Sequence, residues 1–259
     1  MNKKAKLSLL LSALMLLFFT AAAQAGRGRE IMEVMDKLDQ GFHDEVSQLK
    51  MVLINAHGDK VERLMATKRF EVKDDGDKSI NKFLKPRDIK GTGLLTYEHK
   101  VGDDDQWLYL PALKRIKRIS SRKKTGSFMG SEFSFEDLSS FDIDKFKYKY
   151  LKEETIDGVP CFVIERYPVD TYSGYTRQVA YVRRDNHQFK KIEYYDRKSD
   201  LLKIASYEDF QKIGRFWRPT RIDMKNVQTK KETVIDFMET KIQNGLKKSD
   251  FSKRALKKR

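Results

Sequence analysis

Cysteine is nearly absent from this chain: Cys161 is the single one among 259 residues. One cysteine cannot form an intramolecular disulfide, which excludes the small disulfide-stabilised scaffolds and leaves the hydrophobic core to hold the fold. The apolar stretch Cys161-Phe162-Val163-Ile164 favours a buried side chain over a reactive thiol.

Sequence signatures of catalysis and metal binding are missing as well. The four histidines show no HxH or HExxH spacing, which argues against a zinc site. The chain has no GxSxG, GxxxxGK[ST] or strand-associated GxGxxG motif, so hydrolase, nucleotide-dependent and dehydrogenase functions lose support. The acidic turns at 74–77 and 102–105 lack the complete pattern of a calcium loop. We therefore predict a protein that is not an enzyme and that uses no catalytic residues, metal or cofactor.

A long apolar run occurs only at the N-terminus, where Leu7 to Phe19 follows three lysines. The run is followed by Ala23-Gln24-Ala25, the small-x-small pattern that signal peptidase accepts. Gly26-Arg27-Gly28-Arg29 ends it too early for a membrane anchor, which needs about 20 apolar residues. We predict a signal peptide over 1–25, cleaved after Ala25. Because no cysteine stands at the cleavage site, we expect an exported protein that is not itself a lipoprotein.

The rest of the chain is basic and strand-rich. The formal net charge of +15 becomes +12 once the three signal lysines are removed. From about Phe42 to Phe237 apolar residues recur with period two between turn signals, as in Leu49, Met51 and Leu53, which predicts antiparallel strands. No repeat or low-complexity linker divides the chain, so we predict one domain over 26–259. We expect its lysine-rich tail, about 246–259, to be a frayed or solvated helix.

Two segments break the strand pattern. Residues 27–39 place Ile31, Val34, Met35 and Leu38 at helical spacing before Gly41, which predicts an amphipathic helix. Ser131 to Ser140 offers Ser134 as an N-cap with Asp137 three residues later, which predicts a short helix or lid across the sheet.

The most distinctive stretch is DQWLYLPALKRIKRISS, Asp105 to Ser121. Trp107 to Leu110 predicts a strand, Pro111 a turn, and Lys114 to Ile119 the returning strand. Seven positive charges fall within the eleven residues 114–124, and such density attracts an anion or an acidic partner. Lipid phosphates or an acidic docking protein are candidates, and a solvated strand face is the alternative. Nucleic acid is disfavoured, since no RNP or helix-turn-helix pattern accompanies the charge.

This stretch also carries a family resemblance. Together with FLKPRDIKGTGLL (Phe83 to Leu95) and GSFMGSEFSFEDL (Gly126 to Leu138), it resembles the outer membrane lipoprotein-sorting protein family. These are LolA-like periplasmic proteins, often encoded beside transporters of the resistance-nodulation-division (RND/MMPL) type. The resemblance implies a mainly β fold with some helix: an incomplete antiparallel β-barrel around a hydrophobic cavity, covered by an N-terminal helix and short lid helices.

The resemblance further implies a carrier that binds acyl chains of a lipid or lipoprotein and passes them between inner and outer membrane. An RND/MMPL-type transporter would be its partner, with transient membrane-surface contact. The candidates for the cavity or lid are Trp107, Tyr109, Phe128, Met129, Phe133, Phe135 and Leu138. The candidates for headgroup or partner docking are Lys114, Arg115, Lys117 and Arg118.

Several alternatives stay open at this point. The cavity arginine associated with the lipoprotein carrier has no matched position here, so the cargo is either a lipoprotein or another lipid. A non-carrier accessory subunit that docks on an inner-membrane transporter is the second possibility. An enzyme acting on lipid or cell-wall material is the third, with no visible catalytic set. The oligomeric state is open.

Overall fold

A computed structural model describes residues 24–258 of the chain. The predicted signal peptide lies outside the described residues except for its last two positions. Two helices and thirteen strands follow in chain order: α1 (24–39), β1 (Asp44–Ile54), β2 (Lys60–Phe70), β3 (Lys78–Lys85), β4 (Gly93–Tyr97), β5 (Asp105–Leu110), β6 (Arg115–Ile119), β7 (Phe146–Ile156), β8 (Val159–Pro168), β9 (Arg177–Arg183), β10 (Phe189–Tyr195), β11 (Leu201–Ile213), β12 (Phe216–Asn226), β13 (Glu232–Ile242) and α2 (Lys253–Lys257).

All thirteen strands form one antiparallel sheet in the order β6-β5-β4-β3-β2-β1-β13-β12-β11-β10-β9-β8-β7. Laid flat at a strand spacing of roughly 4.8 Å, this sheet would be about 60 Å wide. Ile119 of the edge strand β6 nevertheless shares one buried cluster with Tyr148 of the other edge strand, β7. The sheet therefore curls around this cluster and stays open between its two edges, which confirms the predicted mainly β half-barrel.

The pleat gives the sheet an inner face, which bears this main cluster, and an outer face. Leu49 and Met51 of β1 point to the inner face, as their alternation predicts. The outer face carries two smaller clusters. One of them buries Cys161 completely, and burial raises the pKa of its thiol, in keeping with a packed rather than reactive side chain.

Helix α1 forms where the spacing predicts it, but its buried face is displaced. Ile31, Met32 and Met35 pack into the main cluster, whereas Val34 and Leu38 are more than 40% exposed. The reason is Gly28: a Cβ there would lie 2.9 Å from the backbone nitrogen of Tyr150. Gly28 therefore lies against β7, and the side of α1 that faces the sheet is the one that carries Gly28 and, one turn later, Ile31 and Met32. The predicted burial of Ile31 and Met35 is confirmed. The predicted burial of Val34 and Leu38 is wrong.

The C-terminal tail is a correction to the expected solvated helix. Phe251 and Leu256 are buried on the outer face, in the cluster that also holds Trp107. The side chain of Leu256 packs over Gly93 of β4, where a Cβ would lie 2.8 Å from its Cδ1, and the Tyr97 hydroxyl donates to the Phe251 carbonyl. Leu246 and Ala255 of the tail pack against the same cluster, and these apolar residues anchor the segment because the outer face of β4 and β5 is itself apolar. Among residues 24–258, no helix is both long and apolar enough to cross a membrane.

Candidate functional site

The segment that joins β6 to β7 lies over the main cluster at the open side of the half-barrel. We call its central part, residues 126–140, the crossing loop. Phe128, Phe133 and Phe135 of this loop are buried in the main cluster. Phe128 stacks on Phe83 of β3 with 5.5 Å between ring centroids, and Phe135 meets Phe128 edge-on at 5.7 Å. The loop therefore fills part of the barrel interior with aromatic rings.

The predicted helix or lid at Ser131 to Ser140 is present only as a single 3₁₀ turn, Glu136–Leu138. The expected capping pair does form: the Ser134 backbone N–H donates to the Asp137 carboxylate at 2.6 Å, and the Asp137 N–H donates to the Ser134 hydroxyl at 3.3 Å. The Asp137 side chain also binds Tyr175, in the segment before β9, and Lys203 of β11.

Polar side chains from the sheet hold the main chain of the crossing loop. Three carbonyl oxygens of the loop accept hydrogen bonds from three different strands. Arg63 of β2 donates to the Met129 carbonyl at 2.6 Å, and Gln106 of β5 donates to the Phe135 carbonyl at 2.9 Å. The third donor is Lys203 of β11, which is 2.9 Å from the Glu132 carbonyl. The loop is thus fastened across the half-barrel by directed bonds as well as by apolar packing.

Lys203 and Asp137 form the most deeply buried ion pair of the crossing loop. Their nitrogen and oxygen are 2.5 Å apart, and the two side chains are 4% and 3% exposed. Asp137 also accepts from the Tyr175 hydroxyl at 2.7 Å. A buried charge needs this degree of compensation, because a lone ion in the interior costs several kcal/mol.

A cavity of about 230 Å³ lies beside the C-terminal end of the crossing loop. One side of its lining is aromatic, and rings come from the segment before β7 and from strands β7, β10 and β11: Phe141, Phe146, Phe189, Tyr194 and Tyr207. The other side is polar, and includes Gln106 and the Lys124–Asp170 and Lys145–Asp104 ion pairs. Arg166 of β8 is the one charged residue that the inner face of β8 contributes to it.

Comparison with known proteins shows where this architecture recurs. A domain described as an outer membrane lipoprotein-sorting protein domain, from Vibrio parahaemolyticus, is 44% identical and superposes with a TM-score of 0.89, covering 90% of this chain and 100% of that one. The chain belongs to the outer membrane lipoprotein-sorting protein family. The family predicted from the three sequence blocks is thereby confirmed.

Other relatives of this lipoprotein-sorting family protein agree. A DUF1329 family protein from Desulfovibrio piger is 31% identical with a TM-score of 0.86, over 90% of this chain and 99% of that one. A LolA superfamily protein from Nitrosomonas europaea, 20% identical, shares the fold with a TM-score of 0.71 over 88% and 98% of the two chains. A family model described as "Uncharacterized protein"-like matches residues 75–258. No curated protein matches.

Five of the seven cavity or lid candidates of this family member come together in space. Phe128, Phe133 and Phe135 are buried in the main cluster, with Met129 and Leu138 packed against it. Met129 adopts a left-handed backbone with φ of +52°, a conformation that β-carbon-bearing residues seldom take.

Trp107 and Tyr109 lie elsewhere. Both pack on the outer face of β5 against the C-terminal segment, whereas Leu108 and Leu110 of the same strand point inward. The expected cavity position of Trp107 and Tyr109 is therefore corrected, since the pleat turns them away from the interior.

The docking candidates are split by the pleat of β6. Arg115 and Lys117 stand opposite Leu110 and Leu108, and so project on the inner side. Arg118 stands opposite Trp107 on the outer side, where its guanidinium is 2.5 Å from the Asp105 carboxylate. Lys114 occupies the left-handed turn position between the strands, with φ of +50°. All four are exposed, but they do not form one patch.

Side chains that could hold a metal or perform acid–base chemistry are dispersed in this protein. Within residues 24–258, no group of three or more His, Cys, Asp or Glu side chains is placed to bind an ion. The inward-facing polar residues Arg63, Gln106, Arg166 and Lys203 were not among the sequence candidates.

Proposed function

We propose that this protein is a periplasmic carrier that binds acyl chains of a lipid or lipoprotein inside the half-barrel and passes them between the inner and outer membranes. The observation that supports this most directly is the crossing loop, which places three phenylalanine rings in the apolar interior. An acyl chain presents the same kind of surface as those rings. If an acyl chain replaces the phenylalanine rings, the inner face of the sheet stays shielded from water both with and without cargo.

The size of the cavity argues that the loop must move for binding. Ligand pockets usually measure about 300–1,000 Å³, and the cavity of about 230 Å³ is smaller. Each buried CH₂ contributes roughly 0.8 kcal/mol, so a chain with a dozen such groups gains on the order of 10 kcal/mol. That gain is of the right size to offset three loop hydrogen bonds at about 1 kcal/mol each together with the displaced aromatic packing. Displacement of the loop by cargo requires no nucleotide.

Replacing Phe133 and Phe135 by Ala is expected to reduce the retained lipid. The wild-type protein, purified from its native envelope under mild conditions, should carry a stoichiometric acylated species in native and denaturing mass spectrometry. The double variant should carry clearly less, because in the loaded protein the displaced loop lays these two rings over the bound chain, and the variant lacks them. Phe251→Ala is the matched control, since Phe251 is equally buried but lies on the outer face. If the wild type carries no acylated species and takes up no lipid from vesicles, the carrier function is rejected.

A second candidate function, docking on an inner-membrane transporter of the RND/MMPL type, is favoured by Arg115 and Lys117. Both are exposed on the edge strand β6, at the rim of the inner side, and neither forms an ion pair with a carboxylate of the described chain. Such a cationic edge suits an acidic partner or an anionic membrane surface. It also discourages edge-to-edge aggregation of the open sheet.

Changing Arg115 and Lys117 to Glu is expected to weaken binding to phosphatidylglycerol vesicles by at least about tenfold, because each basic residue near an anionic surface contributes about 1 kcal/mol. The salt dependence of binding should fall as well. Lys147→Glu with Lys149→Glu, on the outer side of the opposite edge strand β7, is the charge-matched control. Equal binding by both variants would show that the β6 rim is ordinary solvated surface.

A further inference from the structure

Arg166 lies on the inner face of β8, in a position that strand alternation reserves for apolar residues. Phe162 and Ile164 precede it on the same face and belong to, or pack against, the main cluster. Arg166 is only 5% exposed and lines the cavity. An arginine at such a site has lost its water and needs another source of compensation.

Three aromatic rings surround the guanidinium. Its central carbon is 4.8 Å from the ring centres of Phe146 and Phe189 and 5.6 Å from that of Phe141. Cation–π attraction of this kind stabilises a buried charge in part, by about 2 kcal/mol when desolvated. Ring faces do not accept directed hydrogen bonds as oxygen does, so these contacts do not satisfy the N–H donors of the guanidinium.

No carboxylate of the described residues pairs with Arg166. Its Nε is buried without a hydrogen-bond partner, and so is the Oε1 of Gln178, which stands directly opposite on β9. Burial lowers the pKa of Arg166 from its usual value, because the charged guanidinium is poorly solvated there.

The carboxylates that line the cavity each have partners of their own. Asp104 pairs with Lys145, Asp170 with Lys124, Asp137 with Lys203, Asp103 accepts from the Ser121 hydroxyl, and Glu136 accepts from the Ser173 hydroxyl and the Gly174 N–H. Arg166 is therefore the one cation of the cavity lining that has no carboxylate partner, since Lys124 and Lys145 are both paired.

We propose that Arg166 recognises the anionic head of an amphiphile, a carboxylate or a phosphate, whose acyl chain runs from the cavity beneath the crossing loop. The proposal rests on the carrier function and gives the cargo a chemical class. The planar guanidinium fork matches the two oxygens of a carboxylate or phosphate, and the Gln178 carbonyl oxygen accepts from a hydroxyl next to the head. Phe189 and Ile192 join the cavity to the main cluster, where the chain would lie.

The test compares ligands that differ only in their head group. The protein, purified from its envelope and freed of lipid, is titrated with an 18-carbon fatty acid, the matching monoacylglycerol phosphate and the uncharged alcohol of the same chain. We expect the wild type to prefer at least one of the two anions over the alcohol by tenfold or more, and which anion it prefers identifies the source of the charge.

Arg166→Met should abolish this preference and leave the affinity for the alcohol unchanged. Arg166→Lys keeps the positive charge but lacks the planar guanidinium, so it should retain only part of the preference. This variant also tests the proposal if Arg166→Met fails to fold. Arg63→Met is the matched control: it removes another inward arginine, one that holds the loop, and should change all three affinities alike.

The outcomes separate this inference from the carrier function. Equal binding of acid, phosphate and alcohol by the wild type would overturn the role of Arg166 and leave the carrier intact. Binding of none of the three would overturn the carrier function. A preference that persists in both Arg166 variants would place the anion elsewhere and reject the inference.

Discussion

Replacing Lys203 by Met is expected to lower the free energy of unfolding by about 3–5 kcal/mol, because breaking a buried ion pair leaves an uncompensated charge in the interior. Lys203 and Asp137 are both more than nine-tenths buried. The substitution also removes the donor to the Glu132 carbonyl. Chemical denaturation at neutral pH, with the slope compared between variants, measures the loss.

The double variant Lys203→Met with Asp137→Leu is the informative control. It removes both charges, so it should be more stable than Lys203→Met alone, as happens when a buried pair is replaced by apolar residues of similar size. Arg29→Met, at an exposed pair with Asp144, should change stability by about 1 kcal/mol or less. A Lys203→Met variant no less stable than Arg29→Met would show that the pair does not stabilise the crossing loop.

Lys203 also illustrates what the sequence could have revealed. It has the same strand parity as Ala205 and Tyr207, which face inward, and Arg166 has the parity of Phe162 and Ile164. A charged residue at a strand position where alternation places apolar, inward-facing residues is a recognisable signal for a buried polar contact. The partner is not recognisable in the same way, because Asp137 lies 66 residues away in a loop whose path across the barrel has no local determinant.

Which face of a strand points inward is a second property that the sequence alone does not determine. The hairpin from Asp105 to Ile119 was predicted correctly, with its turn at Pro111. Alternation further separates Trp107 from Leu108, but it does not tell which of them is inside. Both faces of β5 are apolar, since the C-terminal segment covers the outer one. Only the placement of Phe251 and Leu256, distant in sequence, resolves the choice.

Glu98 connects the far end of the crossing loop to the sheet. Its carboxylate accepts from the Ser140 backbone N–H at 2.6 Å, and the residue is only 5% exposed. Burial raises the pKa of Glu98 from its usual 4.5 to about 7, and the nearby carboxylates of Asp77 and Asp104 act in the same direction. Arg69 and the Ser140 N–H oppose this rise without cancelling it.

The raised pKa predicts that stability decreases with pH between about 4.5 and 7. Below 4.5 the group is protonated in both folded and unfolded protein, and the full stability is present. As the pH rises toward 7, the unfolded chain loses this proton before the folded one, and stability falls. A difference of about 2.5 pKa units corresponds to about 3 kcal/mol, lost once the pH exceeds 7.

Glu98→Gln is therefore expected to be about 3 kcal/mol more stable than the wild type at pH 8 and nearly equal to it at pH 4. The amide keeps an acceptor for the Ser140 N–H and removes the charge that burial disfavours. Unfolding free energies measured at both pH values test this, with Glu30→Gln on the exposed side of α1 as control.

The stability of Glu98→Gln should still decrease with pH, but less steeply than that of the wild type, because burial also raises the pKa of Asp77. If Glu98→Gln and the wild type lose equal stability between pH 4 and pH 8, Glu98 does not titrate as its burial requires. A stabilised variant that also exchanges lipid more slowly would show that ionised Glu98 keeps this end of the crossing loop ready to open.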